Sequence, residues 1–119
     1  MVYKYVIHDI PPSNNKYIGR NERFRYQAAK EQWEALVRYE CSPKPAKPIK
    51  RSRVTLMYYF KTKGRRDPDN YSGKFILDGL RKAGIIEDDS FDNIDLILKK
   101  GGCDKFNQRT VITVEVIEE

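Results

Sequence analysis

The stretch Val54, Thr55, Leu56, Met57, Tyr58, Tyr59 and Phe60 constrains the fold more than any other part of the chain. It is β-branched and aromatic, which favours a strand. It is apolar on both faces, which places that strand inside a sheet rather than at its edge. The remaining segments must therefore supply neighbouring strands and apolar cover.

Residues 2–8 alternate β-branched and aromatic side chains and predict a first strand, with His8 and Asp9 as a surface pair at its end. Pro11 and Pro12 stop it, and Ser13, Asn14 and Asn15 make a polar turn. Asn21 is the expected N-cap of a helix that carries Tyr26, Ala29, Trp33, Leu36 and Val37 at helical spacing to about Tyr39. Trp33 is expected in the core. The prolines of residues 42–53 forbid a helix there. After the central strand, Tyr71, Phe75, Ile76, Leu80 and Ala83 predict a second helix closed by Gly84. A third strand follows around 94–98. Gly101 and Gly102 are expected to open a hairpin loop containing Asp104 and Asn107, with a return strand over 110–116. The expected architecture is one α+β domain over residues 1–119, in the order β-α-β-α-β-β. It has a mixed sheet of about four strands with two helices packed on it.

Charge bears on partners. The net charge is +6 and 34% of residues are charged, above the usual quarter. A basic domain favours a polyanion, and no segment is long and apolar enough to suit a membrane. Cys41 and Cys103 are the only cysteines and His8 the only histidine, too few for an ordinary structural zinc site. The cysteine spacing and the absence of a signal-like N-terminus point to free thiols and a cytoplasmic setting. A catalytic metal would need oxygen ligands, which points to magnesium or manganese.

One constellation offers such ligands. Lys61, Lys63, Arg65 and Arg66 run into Asp67, Pro68, Asp69 and Asn70. Lys74 and Asp78 follow, then Glu87, Asp88 and Asp89 beyond the second helix. Asp67 and Pro68 also read as an ordinary helix start, N-cap followed by proline. Lys74 and Asp78, four apart, read equally as a helix-surface ion pair. Carboxylates with a metal and a lysine suit phosphodiester hydrolysis, in which charge develops on phosphorus and on the leaving oxygen. Antiparallel pairing of the second and third strands would set Asp67 and Asp89 in one cleft. A parallel crossover would leave them at opposite ends of the helix. The former is the expectation. The polar loop at Ser13, Asn14, Asn15, Lys16 and Tyr17, with Arg20 beyond it, suits a DNA backbone, as do Lys63, Arg65, Arg66 and Asn70.

Taken together, Pro11-Pro12-Ser13-Asn14-Asn15 with Tyr17, Arg66-Asp67-Pro68-Asp69-Asn70, Leu77-Asp78-Gly79-Leu80, Gly84 and Asp88-Asp89 resemble the RusA family of Holliday-junction resolvases. The resemblance spans nearly the whole chain. It implies a homodimeric, magnesium-dependent endonuclease, with manganese as a substitute, that nicks DNA four-way junctions in symmetric pairs during recombination and repair. It assigns metal binding to Asp67, Asp69 and Asp89, with Asp88 assisting, and a catalytic role to Lys74. Gly73 stands where the family's lysine is expected, which implies a one-residue insertion before Lys74. Two other readings stay open: a non-catalytic branched-DNA-binding protein of the same fold, and a nuclease acting mainly on flaps.

Overall fold

The computed structural model describes residues 1–17, 19 and 22–118. Its strands are β1 (Val2–Ile7), β2 (Arg51–Phe60), β3 (Ile94–Cys103) and β4 (Arg109–Glu118), and its helices are α1 (Arg23–Glu40) and α2 (Lys74–Lys82). They form one mixed sheet in the order β1-β4-β2-β3 with two helices, the α+β arrangement expected. β2 is central, and β4 lies between it and β1, antiparallel to both.

Alternation along the strands divides the sheet into two faces. Ser52, Val54, Leu56, Tyr58 and Phe60 of β2 are buried under the helices, as are Thr110, Ile112 and Val114 of β4. Arg53 is exposed on the opposite face, and Thr55, Met57 and Tyr59 there are half-buried. Trp33 and Val37 of α1 and Phe75, Ile76, Leu77 and Leu80 of α2 close the core from the helix side. The helices meet where a Cβ on Gly79 would lie 2.9 Å from Val37, so only glycine allows their approach. Each fully buried aliphatic side chain contributes about 1.5–3 kcal/mol, against about 0–1 kcal/mol for an exposed ion pair. The apolar layer therefore holds the fold, and the charged surface contributes little to its stability.

The structure departs from expectation in three places. β2 pairs parallel with β3, Ser52 opposite Ile94 and Phe60 opposite Cys103. The intervening α2 makes a crossover, so Asp67 and Asp89 flank opposite ends of the helix and do not share a cleft within the chain. Gly101 and Gly102 lie inside β3 at a register shift, not in the hairpin loop. The Tyr59 ring lies across Gly101, where a Cβ would come within 2.5 Å of the ring, so the glycine serves packing rather than a turn. α2 begins later than its apolar pattern implied, because Tyr71 belongs to a separate 3₁₀ turn, Pro68–Tyr71. The expected cap Asn21 lies outside the described residues, and Glu22 occupies the N-cap position. No helix is long and apolar enough to cross a membrane among the described residues.

Candidate functional site

The site is built where β2 ends. The chain leaves Phe60, whose carbonyl accepts a bond from the Asp104 amide at 2.7 Å. It passes through exposed Lys61 and Lys63 and reaches Asp67 in extended conformation, φ −101° and ψ 136°. Pro68 then fixes the first position of the 3₁₀ turn, and the Asn70 amide closes it onto the Asp67 carbonyl at 3.0 Å. The helix-start reading of Asp67-Pro68 thus holds for this turn and not for α2. The Asp67 side chain makes no capping bond. Its Oδ1 instead accepts from Arg65 Nε at 3.0 Å, a pair whose arginine is 88% exposed. Such a pair is held weakly and can be exchanged for a ligand. Asp69 is exposed on the same turn.

The proline-asparagine loop comes to this turn from far away in sequence. Residues Asn14–Tyr17 form a 3₁₀ turn of their own. Asn14 Nδ2 donates to the Asp69 carbonyl at 2.6 Å and lies 3.2 Å from Ser72 Oγ. Asn14 is therefore occupied in holding the acidic turn, a role the sequence did not signal. Ser13 is likewise engaged locally, its Oγ 3.3 Å from the Asn15 amide. Tyr17 packs edge-on against Tyr26 and Phe75 and serves the core more than a ligand. Asn15 and Lys16 remain exposed. Arg20 lies outside the described residues.

Between the turn and α2 stands Gly73, in the left-handed region with φ +81°. A Cβ there would collide with Leu56 Cδ1. No side chain fits at position 73, so the lysine implied by the resemblance could not stand there. Gly73 makes this left-handed step, and α2 starts at Lys74. Lys74 Nζ lies 3.6 Å from Asp78 Oδ2. Asp78 is buried, unlike an ordinary surface partner, and that oxygen has no hydrogen bond.

Cations surround the turn. Lys63 and Arg65 are exposed, and Arg66 is anchored, its guanidinium 4.6 Å from the Phe60 ring centroid with Nη2 3.0 Å from Thr62 Oγ1. Lys99 and Lys100 arrive from β3, and Lys100 Nζ donates to the Gly64 carbonyl at 3.0 Å. The sequence reading missed these two lysines. Only the parallel register, which sets Lys100 opposite Tyr58, brings them here.

At the other end of α2, Asp88 is exposed and its Oδ1 accepts from the Asp89 amide at 2.8 Å. Asp89 lines a separate hollow with Leu77, Phe91, Ile94 and Leu96. Among the described residues, no three acidic, histidine or cysteine side chains gather closely enough to hold a metal ion. The three-aspartate set does not fit a metal within one chain, whereas Asp67 and Asp69 share a single turn. Magnesium is commonly held by one or two carboxylates, with phosphate oxygens and waters completing its shell. That donor chemistry is present at the turn. No protein-family model matches the chain, and a search of the curated proteins finds no match either.

Proposed function

We propose that this chain is a magnesium-dependent, structure-selective DNA endonuclease that resolves Holliday junctions by paired nicks, acting as a homodimer in the cytoplasm of a bacterial or phage-infected cell. The observation that carries the reading is the exposed Asp67–Asp69 turn, braced by Asn14 and ringed by cations from the end of β2 and from β3. Carboxylates this close to basic groups suit a bound cation with a phosphate beside it. Asp67 and Asp69 would hold magnesium, which supplies charge neutralisation and an activated water when bound. Arg66, already fixed on Phe60, offers a planar guanidinium to a phosphate. Lys74 at the start of α2 offers an ammonium to the same group. Lys63 and Arg65 extend the backbone contact.

The dimer has a physical rationale. β3 is an edge strand, and edge strands invite pairing. Beside it, Phe91 is 99% and Leu96 39% exposed around the hollow that Asp89 lines. A second copy seated there would cover these side chains and place Asp89 at the seam. A two-fold dimer also matches the approximate two-fold symmetry of an open four-way junction.

The position of Asp89, away from the turn, favours a second reading, that of a non-catalytic branched-DNA-binding protein. Incubating the protein with labelled junction, flap and linear duplex in magnesium or manganese separates the readings. Symmetric junction nicks support the first. Tight junction binding without nicks in either metal supports the second. Preferential flap cleavage would reassign the substrate.

A further inference from the structure

We propose that Phe106, at the tip of the β3–β4 hairpin, stacks on the open face of a base pair at a DNA branch point and so selects branched DNA over linear duplex. This rests on the DNA-binding part of the function proposed above but not on cleavage.

The hairpin tip and the acidic turn lie at one end of the sheet. β2 and β3 run parallel and finish together, Phe60 opposite Cys103. Bonds from β3 and the hairpin then hold the basic run that leads into the turn. The Asp104 amide donates to the Phe60 carbonyl at 2.7 Å, the Cys103 thiol to the Lys61 carbonyl at 3.4 Å, and the Lys100 ammonium to the Gly64 carbonyl at 3.0 Å. Phe106 stands just past Asp104, within about 7 Å of chain. A DNA strand held by the cations around Asp67 would pass beside the tip.

The tip is braced, yet its ring is bare. Phe106 is 91% exposed. Its amide nevertheless donates to Asp104 Oδ1 at 3.2 Å, and Arg109 Nη1 donates to Asp104 Oδ2 at 2.8 Å and to the Asn107 carbonyl at 3.0 Å. The Arg109 guanidinium lies 3.8 Å from the Tyr59 ring centroid, and His8 Nδ1 lies 2.9 Å from Asn107 Oδ1. The loop is thus held from β2 and from the end of β1, so little backbone order is left to lose when the ring meets a ligand.

The surroundings favour a nucleic acid. Both oxygens of the Asp104 carboxylate are engaged, and Lys105 Nζ lies 5.7 Å from the Phe106 ring centroid, where a phosphate beside a stacked base would meet it. Phe91, equally bare, sits instead among Asp89, Asp92 and Asp95. Lys105 and Asn107 flank Phe106, so the ring lacks the wider apolar patch at the centre of a protein interface. Within linear duplex each base pair is covered by the next. At an open branch point the last pair of each arm has a free face, and an aromatic ring can stack there without first unstacking a step.

The test uses the full chain without divalent metal, so that nicking does not enter, and compares binding of a four-way junction with that of a linear duplex of the same sequence. Phe106→Ala should weaken junction binding about 5- to 150-fold, the usual range for one aromatic–base contact, and leave duplex binding and the thermal melt unchanged. Phe106→Trp should keep the junction preference, and its indole fluorescence should be quenched by the junction and not by the duplex. Trp33, the only native tryptophan, is buried and supplies a steady background. Junction binding that ignores Phe106→Ala, or an equal loss on junction and duplex, would overturn the proposal and leave the DNA-binding reading standing. A native protein that binds neither DNA would remove both. Nicking is scored separately in magnesium, and a Phe106-dependent junction preference in a protein that never nicks would keep the stacking contact and remove the endonuclease.

Discussion

The side-chain amide of Asn14 holds the backbone carbonyl of Asp69 at 2.6 Å, joining two loops that lie 55 residues apart in the chain. The acidic turn is thereby braced from outside its own strand-helix connection. Replacing Asn14 by Ala should cost about 0.5–1.5 kcal/mol of stability, the usual net value of one hydrogen bond. Single-turnover junction cleavage should fall by more than this loss explains, because Asp69 would lose its positioning. Cleavage rates read beside thermal melts check this, and an unchanged rate would show that the brace is dispensable.

Asp69→Asn tests the carboxylate itself. Loss of partners that merely orient metal ligands costs about 10–100-fold, so loss of a ligand should reduce magnesium-dependent cleavage at least about 100-fold. Junction binding should survive or tighten, since a negative charge near the phosphates is removed. Gel-shift and cleavage assays on one preparation separate these effects.

Gly73→Ala should destabilise the fold rather than the chemistry. The left-handed backbone costs a non-glycine residue about 1–2 kcal/mol, and the clash with Leu56 adds about 1–3 kcal/mol of overpacking. The urea midpoint should fall accordingly. Truncating Leu56 in the same chain should restore part of the second contribution, so the two changes should be non-additive.

Alkaline pH should weaken the fold through buried groups whose protons are held by burial, Tyr58, Cys41 and Tyr5. Burial pushes the Cys41 thiol from 9.0 up to about 12, and the Tyr5 phenol from 10.0 up to about 12. The unfolded chain releases these protons first, so above about pH 9 the folded chain holds more of them and stability falls as pH rises. Each group contributes at most about 1.4 kcal/mol per pH unit in its window. Urea melts at several pH values should show this decline, and Cys41→Ala should make it shallower. In the native protein a thiol reagent should modify exposed Cys103 and leave buried Cys41 untouched.

Much of the fold was legible because its signals are local. The two-sided apolar run at 54–60 placed β2 centrally, helical spacing placed Trp33 in the core, and Gly84 ended α2 as expected. The direction of β3 was not legible, since Ile94 and its neighbours would suit either pairing. That one long-range choice separates Asp67 from Asp89 and brings Lys99 and Lys100 to the turn. The glycines of β3 misled for a related reason. The place of Gly101 depends on the Tyr59 ring across the sheet and not on its own neighbours in sequence. Asn14 was noted for its hydrogen-bonding groups, but its partner Asp69 could not be named from local chemistry.

The place of β4 has a consequence for how the molecule comes into being. β1 pairs with β4 alone among the described strands, and β4 lies between it and β2. During synthesis β1 emerges early and must wait for residues 109–118 before it has a partner. The β2–β3 pair can form earlier, but the sheet is completed only when β4 arrives, and the β1–β4 contacts that complete it are the most distant in sequence. Such a topology folds slowly for its size. A nascent chain stopped before Arg109 would leave both β1 and one edge of β2 bare.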